Sequence, residues 1–241
     1  MDALERAKRQ LVIANRILAM EGVLDAYGHV SMRHPLDPGR FLLSHSLSPE
    51  LVMPEDIVEF TLDGQPVDDR RTLYRERFIH SALYEARADN QVVVHAHAEP
   101  TLPFGLTNTP LRAVINGASD MGAVIPVWDI ADKFGDRTDT LVTNMDHGRD
   151  LAKCLGPNSV VLMRGHGFSA AGTSIIKTVF MAVHVPRNAR VLLEAMRLGE
   201  VKALSLGEIE TRRKYDAKAP SLLRGWRYWA TRAGCAEFLD L

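Results

Sequence analysis

Residues 91–97 constrain the fold most, because they form a short β-branched run that ends in two histidines, Val92-Val93-Val94-His95-Ala96-His97. β-branched residues favour strands. Just before this run, residues 76–87 carry Phe78, Ile79, Ala82, Leu83 and Ala86 at the three- and four-residue spacing of one helix face. A helix that leads into a strand indicates an α/β fold.

The rest of the chain extends this pattern. Apolar residues at helical spacing predict a first helix from Leu4 to Met20, and the alternating segments after it predict an antiparallel meander. Strands are expected over 91–97, 126–128 and 159–163, and a helix over 146–154. One long helix or two, bent near Pro186, are expected over 173–199. We expect one domain over 1–241, with a helical tail from about residue 205.

Composition excludes several classes of protein. The 29 Lys+Arg and 30 Asp+Glu residues give a net charge of -1, which provides no basic excess for nucleic acid. The two cysteines, Cys154 and Cys235, form no CxxC pair, so neither a disulfide framework nor a thiolate zinc site is expected. No apolar run reaches the roughly 20 residues of a membrane helix. These features predict a cytoplasmic protein with a small-molecule partner.

Three histidines and a glutamate are candidate metal ligands. His95 and His97 leave the same face of one strand, because side chains alternate along a strand. Glu76 lies on the preceding helix, and His166 lies between two glycines that allow close approach of a loop. Such a set can hold a divalent cation and leave room for water or substrate. A strand histidine is also often a structural hydrogen-bonding residue, so both interpretations stay open.

His80 follows Glu76 by one helical turn. It either orients a metal ligand from behind or forms only an ordinary contact along the helix.

Four motifs resemble the class II aldolase/adducin family. They are Gly28-His29-Val30-Ser31-Met32-Arg33, Glu76-Arg77-Phe78-Ile79-His80, Val94-His95-Ala96-His97 and Arg164-Gly165-His166-Gly167. The resemblance implies a three-layer α/β/α fold with a mostly antiparallel central sheet, and a homotetramer with sites near the subunit interfaces. It also implies one divalent metal ion per subunit, zinc or manganese with iron or cobalt as alternatives, held by Glu76, His95, His97 and His166.

This sequence departs from the sugar-phosphate aldolases of that family at their phosphate-binding loops. His29 stands in place of an asparagine, the second loop reads Ser44-His45-Ser46, and Tyr74-Arg75 replaces two serines. The guanidinium of Arg75 suits a planar carboxylate. An ordinary solvated or ion-paired arginine is the other interpretation.

The aldolase proton donor is a second departure. Asn116 stands near the position of the tyrosine that donates a proton in those aldolases, and an amide cannot replace it as an acid. The resemblance therefore favours the branch of the family that decarboxylates hydroxylated aromatic, heteroaromatic or dienoic carboxylates.

The predicted enzyme is thus a metal-dependent carbon–carbon lyase. Glu76, His29 or a metal-bound water would protonate the carbon from which CO2 leaves. Predicted substrate-binding residues are Ser31, Arg75, Ser44 and Asn116. For Ser31, a hydrogen bond within its own turn is an equal alternative.

Two other functions remain in view. An aldolase would cleave a ketose or hydroxy-keto acid through a metal-stabilised enolate, and an adducin-like module would assemble without chemistry. The aromatic residues of the tail either close the pocket or pack; they are Tyr215, Trp226, Tyr228 and Trp229.

Overall fold

The computed structural model describes residues 1–239 and contains a seven-stranded sheet in the order β3-β2-β1-β4-β7-β6-β5. Its strands are β1 (His29–Arg33), β2 (Arg40–Ser44), β3 (Ile57–Thr61), β4 (Val92–Ala96), β5 (Val127–Trp128), β6 (Val160–Met163) and β7 (Gly167–Gly172). Only β5 and β6 pair in parallel, which confirms the expected, mostly antiparallel sheet. The last two residues of the expected domain, 240 and 241, lie outside the described residues.

Helices connect and cover these strands. They are α1 (Ala3–Met20), α2 (Arg77–Ala86), α3 (Leu102–Leu106), α4 (Ala131–Phe134), α5 (Met145–Leu155), α6 (Ile175–Leu198), α7 (Leu206–Arg213) and α8 (Pro220–Arg232). Pro186 lies inside α6, which continues through it as one helix. Within the described chain, every helix is too short or too polar to span a bilayer.

The sheet separates two apolar cores. Val92 and Val94 of β4 point into one core with α1 and α6, whereas Val93 points into the other with α2 and α5. This alternation follows from the two-residue period of a strand. Helices therefore cover both faces, and the expected three-layer α/β/α fold is confirmed.

The helical tail packs against the first core. Trp226 and Trp229 of α8 are buried among residues of α1 and α6, while Tyr228 is largely exposed. The two tryptophans act as packing residues in the chain itself and do not cover the cavity described below.

Candidate metal centre

A stripe of α2 faces one side of the sheet. Glu76, His80 and Tyr84 recur every four residues, and the facing strand residues His29 and Ser31 recur every two. Four helical residues advance about 6 Å and two strand residues about 6.7 Å, so the two rows stay in step over this distance. The rows are also closed to solvent, because each of these side chains is buried. Local periodicity thus places a row of polar groups between two layers.

Strand register adds the central ligand. His95 of β4 pairs directly with His29 of β1 on one side and with Ser169 of β7 on the other. The rings of His29 and His95 lie 5.2 Å apart. His97 follows the end of β4 and projects from the same face as His95.

A glycine turn brings the third histidine to this point. His166 lies in the turn between β6 and β7, flanked by Gly165 and Gly167. A Cβ on Gly167 would lie 2.1 Å from the Ala96 carbonyl oxygen, so only glycine permits this approach of the turn to β4.

Four donor atoms converge. The Nε2 atom of His97 lies 3.1 Å from Nε2 of His95 and 3.1 Å from Nε2 of His166. Oε2 of Glu76 lies 3.5 Å from Nε2 of His95 and 3.4 Å from Nε2 of His166. All four atoms fall within 4.8 Å of one another.

Each histidine is held from behind through its other ring nitrogen. Nδ1 of His97 faces both carboxylate oxygens of Asp25 at 3.1 Å, and Nδ1 of His166 donates to the Thr140 carbonyl at 3.0 Å. Nδ1 of His95 lies 3.2 Å from Oγ of Ser169. A proton on Nδ1 leaves the Nε2 lone pair free, so three lone pairs point at one place.

Charge in the cluster follows from burial and neighbours. Burial raises the pKa of Glu76, but His95 and His166 outweigh burial and hold that pKa well below its usual range. Burial lowers the pKa of His95 to about 4 although Glu76 opposes it. Burial also lowers the pKa of His166, but the Glu76 carboxylate outweighs burial and raises that pKa. An ionised carboxylate therefore lies beside a neutral His95 and a more basic His166, whose Nε2 would have to give up any proton to bind a metal ion.

The donor set fits a borderline divalent ion. Around a tetrahedral ion with bonds of about 2.0–2.1 Å, neighbouring donors lie about 3.3–3.4 Å apart. Four of the six distances between the donor atoms, 3.1 to 3.5 Å, lie near that spacing, and all six are within 4.8 Å. Glu76, His95, His97 and His166 could therefore hold one ion.

A cavity of about 510 Å³ adjoins the cluster. Its wall combines two tyrosines and two leucines with hydroxyl, imidazole, guanidinium and carboxylate side chains. The lining residues are Tyr27, His29, Ser46, Thr72, Leu73, Tyr74, Arg75, Glu76, His97, Leu141 and His166.

Two predicted substrate-binding residues point elsewhere within the chain. Ser31 is buried, and its Oγ contacts Nδ1 of His80 at 2.6 Å and the hydroxyl of Tyr84 at 2.8 Å. Ser44 is buried against the Tyr74 hydroxyl at 3.3 Å. Neither lines the cavity, so their substrate contacts stay predictions.

Arg75 lies at the candidate site, whereas Asn116 lies at a separate cavity. Arg75 lines the cavity, its side chain is 65% exposed, and it bonds to Asp139 at 2.7 Å. Asn116 begins a 3₁₀ turn that lines a separate cavity with Ser119 and Tyr215. A single chain therefore brings Arg75, but not Asn116, to the candidate site.

Sequence reasoning missed the groups that support the ligands. Asp25 and Ser169 gave no local signal, because their partners are distant in the chain and are set by loop and strand register. Tyr84 had a signal, since it continues the four-residue spacing of Glu76 and His80.

The fold and the four-donor cluster together describe a class II aldolase type of domain. The family model for the class II aldolase and adducin N-terminal domain matches residues 9–193 of the chain. The chain therefore belongs to this family.

The relatives include decarboxylases. The chain is 36% identical to decarboxylase tropJ of Talaromyces stipitatus, over 92% of this chain and 91% of that protein. It is 28% identical to 3,4-dihydroxyphthalate decarboxylase of Arthrobacter keyseri, over 80% of each. It is also 24% identical to human beta-adducin, over 89% of this chain but only 30% of that longer protein.

Solved structures share the fold. An aldolase II superfamily protein from Pseudomonas syringae superposes with a TM-score of 0.79 and 20% identity, covering 97% of this chain and 94% of that one. L-Fuculose 1-phosphate aldolase from Glaciozyma antarctica gives a TM-score of 0.77 at 20% identity, covering 95% and 90%.

Proposed function

We propose that this chain is a divalent-metal-dependent decarboxylase of a hydroxylated aromatic, heteroaromatic or dienoic carboxylate. The observation that carries the proposal is the convergence of three imidazole Nε2 atoms and one carboxylate oxygen at the wall of the cavity. The decarboxylase relatives support the choice of reaction within the family.

The proposed ligands are Glu76, His95, His97 and His166. When bound, the ion would supply positive charge that stabilises the electron pair left by the departing carbon fragment. Zinc and manganese are the proposed metals, since imidazole and carboxylate suit both.

The cavity wall suits a flat, carboxylated substrate. Tyr27 and Tyr74 supply ring surfaces, and Leu73 and Leu141 supply apolar contact. The exposed Arg75 can exchange its bond to Asp139 for a substrate carboxylate.

His29 is the proposed proton donor. Its Nδ1 is engaged by Nε2 of His80 at 2.7 Å, so Nε2 of His29 is the ring nitrogen left for the cavity that it lines. Glu76 is a less suitable acid, because its carboxylate is held ionised.

Quaternary structure belongs to the same proposal. We propose a cytoplasmic homotetramer, and Asn116 would contribute only in the cavity of a neighbouring subunit, since it lies away from the cavity of its own chain. Light scattering of the purified protein tests the tetramer.

A substrate panel tests the reaction. Protein loaded with Zn²⁺ or Mn²⁺ is given 3,4-dihydroxyphthalate, related hydroxylated aromatic and pyridine dicarboxylates, and L-fuculose 1-phosphate. We expect CO2 release from a carboxylate and no aldehyde. Aldehyde from the phosphorylated ketose would instead identify an aldolase, and a chain that binds no metal and turns over nothing would favour an adducin-like assembly role.

A pair of histidine variants provides the control. His95→Ala should lose both bound metal and activity, because it removes the central ligand. His34→Ala removes a histidine just beyond the far end of β1, and it should keep both. Metal content is measured by inductively coupled plasma mass spectrometry.

A further inference from the structure

A row of hydrogen bonds runs from the cavity into the core between α2 and the sheet. Nδ1 of His29 lies 2.7 Å from Nε2 of His80, and Nδ1 of His80 lies 2.6 Å from Oγ of Ser31. Oγ of Ser31 lies 2.8 Å from the hydroxyl of Tyr84. All four side chains are at most 1% exposed, so the row excludes solvent. The proposed proton donor, His29, is thus at the cavity end of a continuous row of hydrogen bonds that is closed to solvent.

The state of each member follows from its surroundings. Burial lowers the pKa of His80 to about 3, so its ring is neutral. His29 is buried against that neutral ring, with its Nδ1 2.7 Å from Nε2 of His80, and it is neutral as well. A neutral imidazole has one N–H donor and one bare acceptor nitrogen. Burial raises the pKa of the Tyr84 phenol, which keeps its proton.

The phenol proton sets the direction of the row. Among residues 1–239, the acceptor within reach of the Tyr84 hydroxyl is Oγ of Ser31, while the Val93 backbone N–H donates to the phenol oxygen. Tyr84 therefore donates to Ser31, and Ser31 donates to the bare Nδ1 of His80. The opposite direction would leave a buried phenol proton without an acceptor, which is costly.

We propose that Tyr84, Ser31 and His80 are positioning residues that fix one tautomer of His29, with a bare Nδ1 toward His80 and an Nε2–H toward the cavity. The inference deepens the proposed function and rests on it for the assignment of the cavity as the substrate site. The tautomer itself depends only on the buried contacts.

The fixed tautomer defines the group that His29 recognises. An N–H donor binds an acceptor oxygen, such as a carboxylate, phenolate or enolate oxygen, and it is poorly matched to a hydroxyl or ammonium that must donate. The substrate group facing His29 is therefore an anionic or carbonyl oxygen. Transfer of this proton to the substrate would leave His29 as an imidazolate, which takes a proton at Nδ1 from the Nε2–H of His80.

Nitrogen spectroscopy of the histidine rings tests the tautomer directly. Long-range ¹H–¹⁵N correlation is recorded on ¹⁵N-histidine protein loaded with Zn²⁺, with His29→Asn and His80→Gln spectra to assign the signals. We expect pyrrole-type Nε2 and pyridine-type Nδ1 for both His29 and His80. A protonated Nδ1 on His29 would overturn the proposal, whether or not the protein is a decarboxylase.

Tyr84→Phe tests the origin of the tautomer, because it removes only the hydroxyl that starts the row. We expect mixed tautomers at His29 and His80 in this variant. Thr178→Val is the matched control, since it removes another buried hydroxyl, one that bonds to the Ser174 carbonyl at 2.8 Å within α6. Unchanged tautomers in folded Tyr84→Phe would remove Tyr84 from the row. If Tyr84→Phe does not fold, the tautomers of His29 and His80 are measured in Ser31→Ala instead. Unchanged tautomers in that variant would remove Ser31 from the row.

Kinetics separate this inference from the proposed function. For a substrate turned over in the panel, Tyr84→Phe should lower kcat about 10-fold with full metal content and little change in KM, the usual scale for groups behind a reacting residue. Equal kcat in Tyr84→Phe and wild type would contradict the inference but leave the decarboxylase intact. An inactive wild type with the expected tautomers would contradict only the proposed function.

Discussion

Asp25 illustrates how a residue outside the four candidate metal ligands can position one of them. Its carboxylate faces Nδ1 of His97 and also accepts the backbone N–H groups of Tyr27 and Gly28, both at 2.9 Å. Asp25 therefore both orients His97 and fixes the backbone that leads into β1.

Asp25→Ala should weaken metal binding about 10-fold or more, because His97 loses the partner that keeps its proton on Nδ1. Competition with a chromogenic chelator measures the affinity. Asp37→Ala is the control, since Asp37 similarly accepts the N–H of Gly39 at 2.9 Å but contacts no ligand. Equal affinities in the two variants would contradict the orienting role of Asp25.

Arg75 gives a second prediction at this scale. Arg75→Ala should raise KM for a carboxylate substrate about 10-fold and change kcat little, because a flexible, exposed arginine contributes mainly to ground-state binding. Asp139→Ala should lower KM, since it frees the guanidinium. Steady-state kinetics measure both variants, and an Arg75→Ala enzyme with unaltered KM would exclude Arg75 from the site.

Sequence and structure agree on the residues whose chemistry is local. The H-x-H pair and the glycine-flanked His166 could be singled out because strand alternation and turn geometry are readable from short patterns. The hydrogen bonds of Ser31 to His80 and Tyr84 could not be predicted. They depend on where α2 lies along the sheet, and packing between the layers sets that position.

At the scale of elements, the sequence predicted α1, α2, β4 and an antiparallel meander where β1 to β3 lie, but not β7. Residues 167–172 read Gly-Phe-Ser-Ala-Ala-Gly, which lacks β-branched residues and any apolar alternation. β7 lies between β4 and β6 with helices on both faces, so neither face is exposed to solvent and no alternation of apolar and polar residues is required. Its neighbours, rather than its own propensity, make it a strand.

The contact between α2 and α5 depends on a glycine. A Cβ on Gly148 would lie 2.5 Å from the Phe78 carbonyl oxygen and 2.8 Å from Cβ of Ala82. Removing that glycine must push α5 away from the helix that begins next to Glu76.

Gly148→Ala should lower the free energy of unfolding by about 2 kcal/mol, since overpacking outweighs the better helix propensity of alanine. Gly207→Ala, in α7 with no atom within 4 Å of the added Cβ, should instead be neutral or stabilise by up to about 1 kcal/mol. Urea denaturation measures the free energy of unfolding of both variants. Similar values would mean that α2 and α5 move apart at no cost in stability.

At the scale of the whole molecule, metal binding should be visible as stability. An ion that binds only the folded chain adds about 4 kcal/mol at a concentration 1,000 times its Kd. Chelation should therefore lower the Tm of the wild type and leave the Tm of His95→Ala unchanged. Differential scanning calorimetry measures this, and a wild type insensitive to chelators would contradict a structural contribution of the site.

Acid should destabilise the metal-free protein through His80. Its pKa falls from 6.5 in the unfolded chain to about 3 in the fold, so protons bind the unfolded chain more readily. The stabilisation is complete above pH 6.5 and is lost as the pH falls toward 3, by about 2 kcal/mol at pH 5. Urea denaturation between pH 8 and 5 measures the loss, and His80→Gln should show a shallower pH dependence than the wild type.

The four donors arrive from three separate stretches: the start of α2, the end of β4 and the turn before β7. None of these stretches carries a full coordination sphere by itself. An ion held by all four donors would therefore bind tightly only after the third stretch has been synthesised and both layers have docked. Metal content would then report the fraction of chains that have completed folding, and chains arrested earlier would contain no ion.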